Sequence, residues 1–160
     1  MKNVNSTVSN YKNHSTMSDD QVLEMAAEII ETKYLRGDSF NNPTAVKEFL
    51  QYKLANYERE VFAVLLLDSQ NSLIEYKELF FGTINSANIH PREVLKIALQ
   101  HNAAAVMFAH NHPSGNSEPS NADKQITQKL KGILEGIDIR VLDHIVVGKD
   151  CVSFAERGLL

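Results

Sequence analysis

The chain has 160 residues, of which 43% are hydrophobic and 22% are charged, and this suits a single domain with one hydrophobic core. Sixteen Lys and Arg residues against twenty Asp and Glu residues give a net charge of -4, whereas nucleic-acid-binding domains are usually basic. The single cysteine, Cys151, excludes an intramolecular disulfide framework and a cysteine-rich zinc site. Apolar runs are too short to span a membrane, and the N-terminus lacks the apolar core of a secretory signal. We therefore expect a cytoplasmic protein.

The first third of the chain is predicted to hold a polar lead and two helices. Residues 1–18 carry too little apolar surface to offset the entropy of ordering, which predicts a disordered lead. A capping box that opens at Ser18 predicts an N-terminal helix over residues 19–37, ending at Gly37. Its apolar stripe is Val22, Ala26, Ile29, Ile30 and Lys33. A second helix starts at Asn42-Pro43, with an inward face of Val46, Phe49, Leu50 and Leu54.

The rest of the chain alternates between short apolar strands and helices. This pattern predicts a mixed sheet of about five or six strands between helices. The predicted strands are Val61–Leu67, Ser72–Phe81, Ala104–Ala109, Ile139–Val147 and Cys151–Phe154. The predicted helices are Pro91–His101, with Val94, Leu95, Ala98 and Leu99 as its apolar face, and Ser120–Leu134. The strand after Glu60 and the strand Ala104–Ala109 should be central neighbours, because only that arrangement brings Glu60 near His110.

The residues with the clearest chemistry flank a loop rich in Pro, Gly and Ser. His110 and His112 lie two apart at a strand end, so both imidazoles point to one side of the sheet. Asp123 lies in the first turn of the next helix, on its apolar face, where an unpaired carboxylate would be costly. Two histidines and an aspartate that converge, with a fourth position open to water, are typical of a catalytic zinc site.

Each of these residues also has a simpler interpretation. Asp123 and Ser120 fit a capping box, and a His-x-His pair can be two ordinary loop histidines. The three metal-binding groups together, at this spacing, favour the metal site. Glu60 is the candidate general base, because it lies where a polar segment enters a buried strand; its alternative role is a solvent-facing residue at a strand start. Ser120 either donates a hydrogen bond to a developing oxyanion or serves only as the helix N-cap.

Two further positions, His144 and Cys151, are interpreted with less support from the sequence pattern. We interpret His144 as a hydrogen-bonded structural residue, and the alternative is that Asp143-His144 supports the site from behind the ligands. We interpret Cys151 as a small buried hydrophobic residue.

Three other enzyme classes do not fit. An HNH nuclease takes its His, Asn and His from separate parts of the chain, whereas His110, Asn111 and His112 are adjacent. A zinc deaminase needs a P-C-x-x-C segment, and the chain has one cysteine. A serine hydrolase needs a G-x-S-x-G turn, which the sequence lacks.

The motif resembles a known family. His110-x-His112-Pro113, seven residues between His112 and Ser120, and then Asp123 match the JAMM motif of JAB/MPN-fold metalloproteases. Residues 40–160 resemble the RadC family, through HPREVLKIALQHNAAAVMFAHNHPSGNSEPSNAD, VLDHIVVG and SFAERGLL. The resemblance implies an α/β fold, an α+β sandwich of JAB/MPN type with a mixed, cytidine-deaminase-like sheet flanked by helices. It implies one Zn²⁺ per chain on His110, His112 and Asp123, with Glu60 as general acid/base and Ser120 on the oxyanion side.

The resemblance also implies a function. It predicts a zinc-dependent metallopeptidase or isopeptidase that acts on a peptide or isopeptide-linked protein, within a family whose name implies DNA repair. The chain looks too short for the helix-hairpin-helix-like region of full-length RadC proteins, so we expect a short stand-alone RadC-like protein. The alternative is a non-catalytic accessory or binding factor in DNA repair or mobile-element biology, with a structural or vestigial metal site. The acidic charge disfavours direct nucleic-acid contact, although a local basic patch could form from Lys124, Lys129, Lys131 and Arg140. The sequence leaves three roles open for the two leading helices: covering the active cleft, forming a homodimer or recruiting a partner.

Overall fold

A computed structural model describes residues 17–32, 43–82 and 88–160, which form four helices and five strands. The helices are α1 (Asp19–Ile30), α2 (Pro43–Leu54), α3 (Pro91–Gln100) and α4 (Asn121–Glu135). The strands are β1 (Val61–Leu67), β2 (Leu73–Phe81), β3 (Ala105–Asn111), β4 (Arg140–Val147) and β5 (Cys151–Ser153). The predicted end of the first helix, at Gly37, and nearly all of the predicted lead lie outside the described residues. Within the described ranges, no helix is both long and apolar enough to cross a membrane.

The five strands form one mixed sheet in the order β2-β1-β3-β4-β5. Strand β1 pairs antiparallel with both β2 and β3, β3 pairs parallel with β4, and β4 pairs antiparallel with β5. This sheet with its helices confirms the predicted α+β fold of JAB/MPN type. Phe62 pairs with His110, so the start of β1 lies beside the end of β3, as the sequence predicted.

The sheet is covered on both faces, and this explains the apolar composition of its central strand. All seven residues of β1 are buried. Alternate residues belong to different cores: Val61 and Leu65 pack with α1 and α2, whereas Val64 and Leu66 pack with α3 and α4. Burial on both faces favours an uninterrupted apolar strand over an alternating one.

Two predicted apolar stripes are partly wrong. In α1, Val22 and Ile29 are exposed, and the buried residues are Ala27 and Ile30. In α3, Leu99 is 55% exposed, although Val94 and Ala98 are buried as predicted. In α3 the buried positions form a narrower face than the periodicity suggests, whereas in α1 the buried face is turned toward Ala27, which lies outside the predicted stripe. The reason is that a helix packed along one side buries only the residues under its neighbour, here α2 in the case of α1.

Candidate metal centre

Four side chains with metal-binding groups meet at one end of the central sheet. They are Glu60, His110, His112 and Asp123, and one ligand atom from each lies within 4.8 Å of those of the others. Glu60 directly precedes β1, His110 lies in β3, His112 directly follows β3, and Asp123 is in the first turn of α4. The structure therefore brings together all four residues that the sequence analysis selected. Their roles as ligands and as general base stay predictions.

The donor atoms of His110, His112 and Asp123 have the spacing of a small metal ion's ligands. His110 Nε2 lies 3.0 Å from His112 Nε2 and 3.3 Å from Asp123 Oδ1. His112 Nε2 lies 3.5 Å from Asp123 Oδ2. Ligands on a tetrahedral zinc ion, at bond lengths of about 2.0–2.1 Å, are about 3.3 Å from one another. The three side chains thus fit around one such ion, and a mixed nitrogen and oxygen donor set suits Zn²⁺.

The hydrogen bond behind His112 sets which of its nitrogens faces the cluster. His112 Nδ1 lies 2.6 Å from the Asn116 carbonyl oxygen. A carbonyl has no proton, so Nδ1 donates and, in the neutral ring, Nε2 carries the lone pair. Since Nε2 is the atom that faces His110 and Asp123, His112 presents an acceptor to the centre. Acceptors that converge in this way are stabilised by a cation between them.

The electrostatic environment shifts the pKa values of the two carboxyl groups, Asp123 and Glu60, in opposite directions. Burial acts to raise the pKa of Asp123, but hydrogen bonds with His110 and His112 outweigh it and hold this pKa well below its usual range. Burial raises the pKa of Glu60, and the nearby Asp123 carboxylate adds to this while His110 opposes it. When the His112 ring is protonated, Nε2 donates to the Asp123 carboxylate, and this hydrogen bond raises the pKa of His112. Asp123 is therefore the ionised carboxylate, and Glu60 is the carboxylate better suited to exchange a proton.

Asp123 is both the partner in a helix cap and a member of the cluster. Its Oδ2 accepts hydrogen bonds from the Ser120 backbone N–H and hydroxyl, both at 2.7 Å, and its own N–H donates to Ser120 Oγ at 3.1 Å. This capping box holds the carboxylate so that Oδ1 faces His110. The two interpretations of Asp123 are therefore compatible. The Ser120 hydroxyl donates to Asp123 here, and its donation to an oxyanion stays a prediction.

The comparisons with known proteins identify the family. Residues 40–159 match the RadC-like JAB domain. The chain belongs to the RadC-like JAB domain family. A UPF0758 protein of Vibrio cholerae serotype O1 is 57% identical over 157 residues, which cover 98% of this chain and 100% of that protein. A second from the same organism is 62% identical over 142 residues, 89% of this chain and 90% of the relative.

Other relatives are longer. A UPF0758 protein of Pseudoalteromonas translucida is 56% identical over 140 residues, which are 87% of this chain and 62% of that protein. The chain thus spans less than two thirds of that relative. The names of these proteins state no activity, so the family sets the fold of this RadC-like JAB domain but no substrate.

Asn111 fixes the backbone around Glu60, and the sequence analysis missed this role. Its Oδ1 accepts from the Val61 N–H at 2.7 Å, and its Nδ2 donates to the carbonyls of Arg59 and Tyr57 at 3.0 and 3.3 Å. The three bonds bracket Glu60 and tie the start of β1 to the end of β3. The available signal was an amide residue in a strand whose neighbours are buried, since such a residue needs partners.

We expect Asn111→Ala to destabilise this RadC-like JAB domain. The substitution leaves the Val61 N–H without its side-chain partner in a buried position, which costs about 1–3 kcal/mol of the free energy of unfolding. Urea denaturation of the metal-free protein measures this loss. Asn121→Ala, at the exposed first residue of α4, is the control and should change the free energy by less than about 0.5 kcal/mol. Equal effects of both substitutions would contradict the role of Asn111.

His144 contacts the site directly, so its alternative interpretation as a supporting residue agrees with the geometry. Its Nε2 lies 2.8 Å from His110 Nδ1, and its ring is 1% exposed. Burial lowers the pKa of His144 well below its usual value, so the ring is neutral. Asp143 serves a different purpose, because its carboxylate accepts from Ser153 Oγ and the Ala155 N–H.

The loop between His112 and Ser120 is held against the turn that follows β4. The Lys149 N–H donates to the Gly115 carbonyl at 2.9 Å, and Ser117 Oγ donates to Asp150. A Cβ atom on Gly148 would lie 2.5 Å from the Gly115 carbonyl oxygen, so only glycine permits this approach. The contact keeps this segment, with the carbonyl that orients His112, in place.

Proposed function

We propose that this protein is a JAMM-type zinc-dependent hydrolase that cleaves peptide or isopeptide bonds. The observation that carries the proposal is the convergence of Glu60, His110, His112 and Asp123 at one end of the sheet, within 4.8 Å. His110, His112 and Asp123 would hold the ion. When bound, a zinc ion acts as a Lewis acid that polarises a carbonyl group and lowers the pKa of a water molecule.

Glu60 has the position and the environment of the proton carrier. Its carboxylate accepts a proton from the attacking water as the water oxygen bonds to the carbonyl carbon. It returns the proton to the nitrogen as the carbon–nitrogen bond breaks, which completes the hydrolysis. The raised pKa of Glu60 brings the group nearer to neutral pH, where a carboxyl group serves both steps best.

The residues around the donors hold them in place. The backbone bonds to Asn111 fix the strand start that carries Glu60, and the capping box with Ser120 fixes Asp123. The Asn116 carbonyl orients His112. A site held by secondary structure and by these hydrogen bonds needs little rearrangement when it binds an ion, and this supports a catalytic use.

Hydrolysis assays on the zinc-loaded chain test the proposal. We expect cleavage within a panel of fluorogenic peptides and isopeptide-linked protein conjugates, loss of cleavage after a chelator removes the zinc, and recovery when zinc is returned. If the zinc-loaded protein cleaves no member of either panel, the hydrolase assignment is wrong. Binding of a partner or of duplex DNA that survives removal of the metal would then favour the accessory role.

A further inference from the structure

A chain of hydrogen bonds runs behind His110 from β3 to α4. His110 Nδ1 lies 2.8 Å from His144 Nε2, and His144 Nδ1 lies 2.5 Å from Thr127 Oγ1. Thr127 Oγ1 in turn lies 2.6 Å from the backbone carbonyl oxygen of Asp123. His144 and Thr127 are both buried, so water is not available to replace a member of the chain.

The direction of every bond in this chain follows from its last member. The Asp123 carbonyl has no proton, so the Thr127 hydroxyl must supply the one in their 2.6 Å contact. Thr127 Oγ1 has a single proton and therefore accepts from His144 Nδ1. His144 thus carries its proton on Nδ1.

Because His144 is neutral, the position of its proton also fixes the position of the proton on His110. The ring of His144 packs against those of Phe62, Phe108 and Phe154, where a charged imidazolium would be costly. A neutral ring protonated on Nδ1 has its lone pair on Nε2, so His144 Nε2 accepts from His110 Nδ1. His110 then has its own lone pair on Nε2, the atom that faces the metal centre.

The groups of the metal centre favour the opposite position for the proton of His110. Asp123 Oδ1 lies 3.3 Å from His110 Nε2, and His112 Nε2, which carries a lone pair, lies 3.0 Å from the same atom. Two acceptors at these distances favour a proton on His110 Nε2. With its proton on Nε2, His110 could not act as a ligand, because the lone pair would point away from the centre.

We propose that Thr127 and His144 are positioning residues that keep the proton of His110 on Nδ1 and so keep Nε2 open to a divalent cation. The cation rests on the proposed function, whereas the position of the proton does not. His112 is oriented separately, by the Asn116 carbonyl. The chain of hydrogen bonds ends on the backbone of Asp123, so it links His110 of β3 with Asp123 of α4.

Nitrogen-15 NMR of histidine-labelled, metal-free protein tests the proton position directly. At about pH 8.5, roughly two units above the ordinary imidazole pKa, neutral rings dominate. We expect the long-range proton–nitrogen spectrum to show His110 and His144 protonated on Nδ1. A wild-type His110 protonated on Nε2 would overturn the proposal without any variant.

The matched variants are Thr127→Val and Thr127→Ser. Valine keeps the shape of threonine but lacks the hydroxyl, so His144 loses its acceptor, moves its proton to Nε2 and donates to His110. We then expect His110 to be protonated on Nε2 and zinc affinity, measured by competition with a chelator, to fall by about 10–100-fold. Serine retains the hydroxyl and should keep the wild-type spectrum and affinity.

The outcomes separate this inference from the proposed function. Wild-type proton positions together with an unchanged zinc affinity in Thr127→Val would overturn the inference, even if the protein is a hydrolase. The expected spectra and affinities in a protein that cleaves no substrate would support the inference and contradict the hydrolase. If Thr127→Val does not fold, the wild-type and Thr127→Ser spectra still decide the position of the proton.

Discussion

Replacing Glu60 by glutamine is expected to abolish turnover while the protein keeps its zinc. Glutamine has nearly the size of glutamate, so the strand start held by Asn111 should be undisturbed. The amide cannot accept the proton of the attacking water, and loss of a general base lowers a rate by about 10²–10⁴-fold. The measurements are kcat on the best substrate of the panel and the zinc content of the same preparation.

The neighbouring Glu58 provides the control for this prediction. Glu58 is exposed and lies outside the cluster of metal-binding groups, so Glu58→Gln removes an equal charge from the same polar segment. Its kcat should stay within about twofold of wild type, since surface charges have small effects. Wild-type turnover by Glu60→Gln would show that another group accepts the proton. Loss of zinc from Glu60→Gln would instead indicate that Glu60 is a ligand.

Replacing both His110 and His112 by alanine is expected to lower the zinc content from near one ion per chain to almost none. The two imidazoles are two of the three side chains whose donor atoms lie 3.0–3.5 Å apart, and Asp123 alone offers too few ligands for a stable site. Mass spectrometry of protein purified without added zinc gives the metal content. Thermal unfolding gives a second readout, because an ion that binds only the folded state raises Tm.

A histidine outside the site provides the control for metal content. His101 is at the C-terminal end of α3, where its Nδ1 contacts the Ile97 carbonyl, and His101→Ala should retain the wild-type zinc. A wild-type protein that is purified without zinc and does not bind added zinc would contradict the metal site. In that case, the cluster would be a set of polar groups that serve only the fold.

Local sequence patterns were sufficient for the secondary structure and for the four members of the cluster. The apolar run from Val61 predicted a buried strand, because a strand covered on both faces has no polar alternation. The spacing of His110 and His112 placed both rings on one side of the sheet. The position of Asp123, three residues after Ser120, predicted a capping box that the structure contains.

Other features depend on which segments meet. The predicted stripe of α1 includes Val22 and Ile29, which are exposed, and omits Ala27, which is buried. Periodicity indicates an apolar face, but the position of the neighbouring helix decides which residues are covered. The roles of Asn111 and Thr127 follow from contacts with residues that are distant in sequence.

By itself, the sequence determined the elements, their order, the family and the residues that can bind a metal. These depend on short-range geometry, in which the chain's own period of two or 3.6 residues fixes where side chains point. Only the tertiary structure decided how Glu60 is held and which nitrogen of His110 faces the centre. Those features depend on hydrogen bonds, which exist only when the partners lie within about 3 Å of each other. The pairing of β1 with β3 and the packing of α4 on β4 bring the partners to that distance.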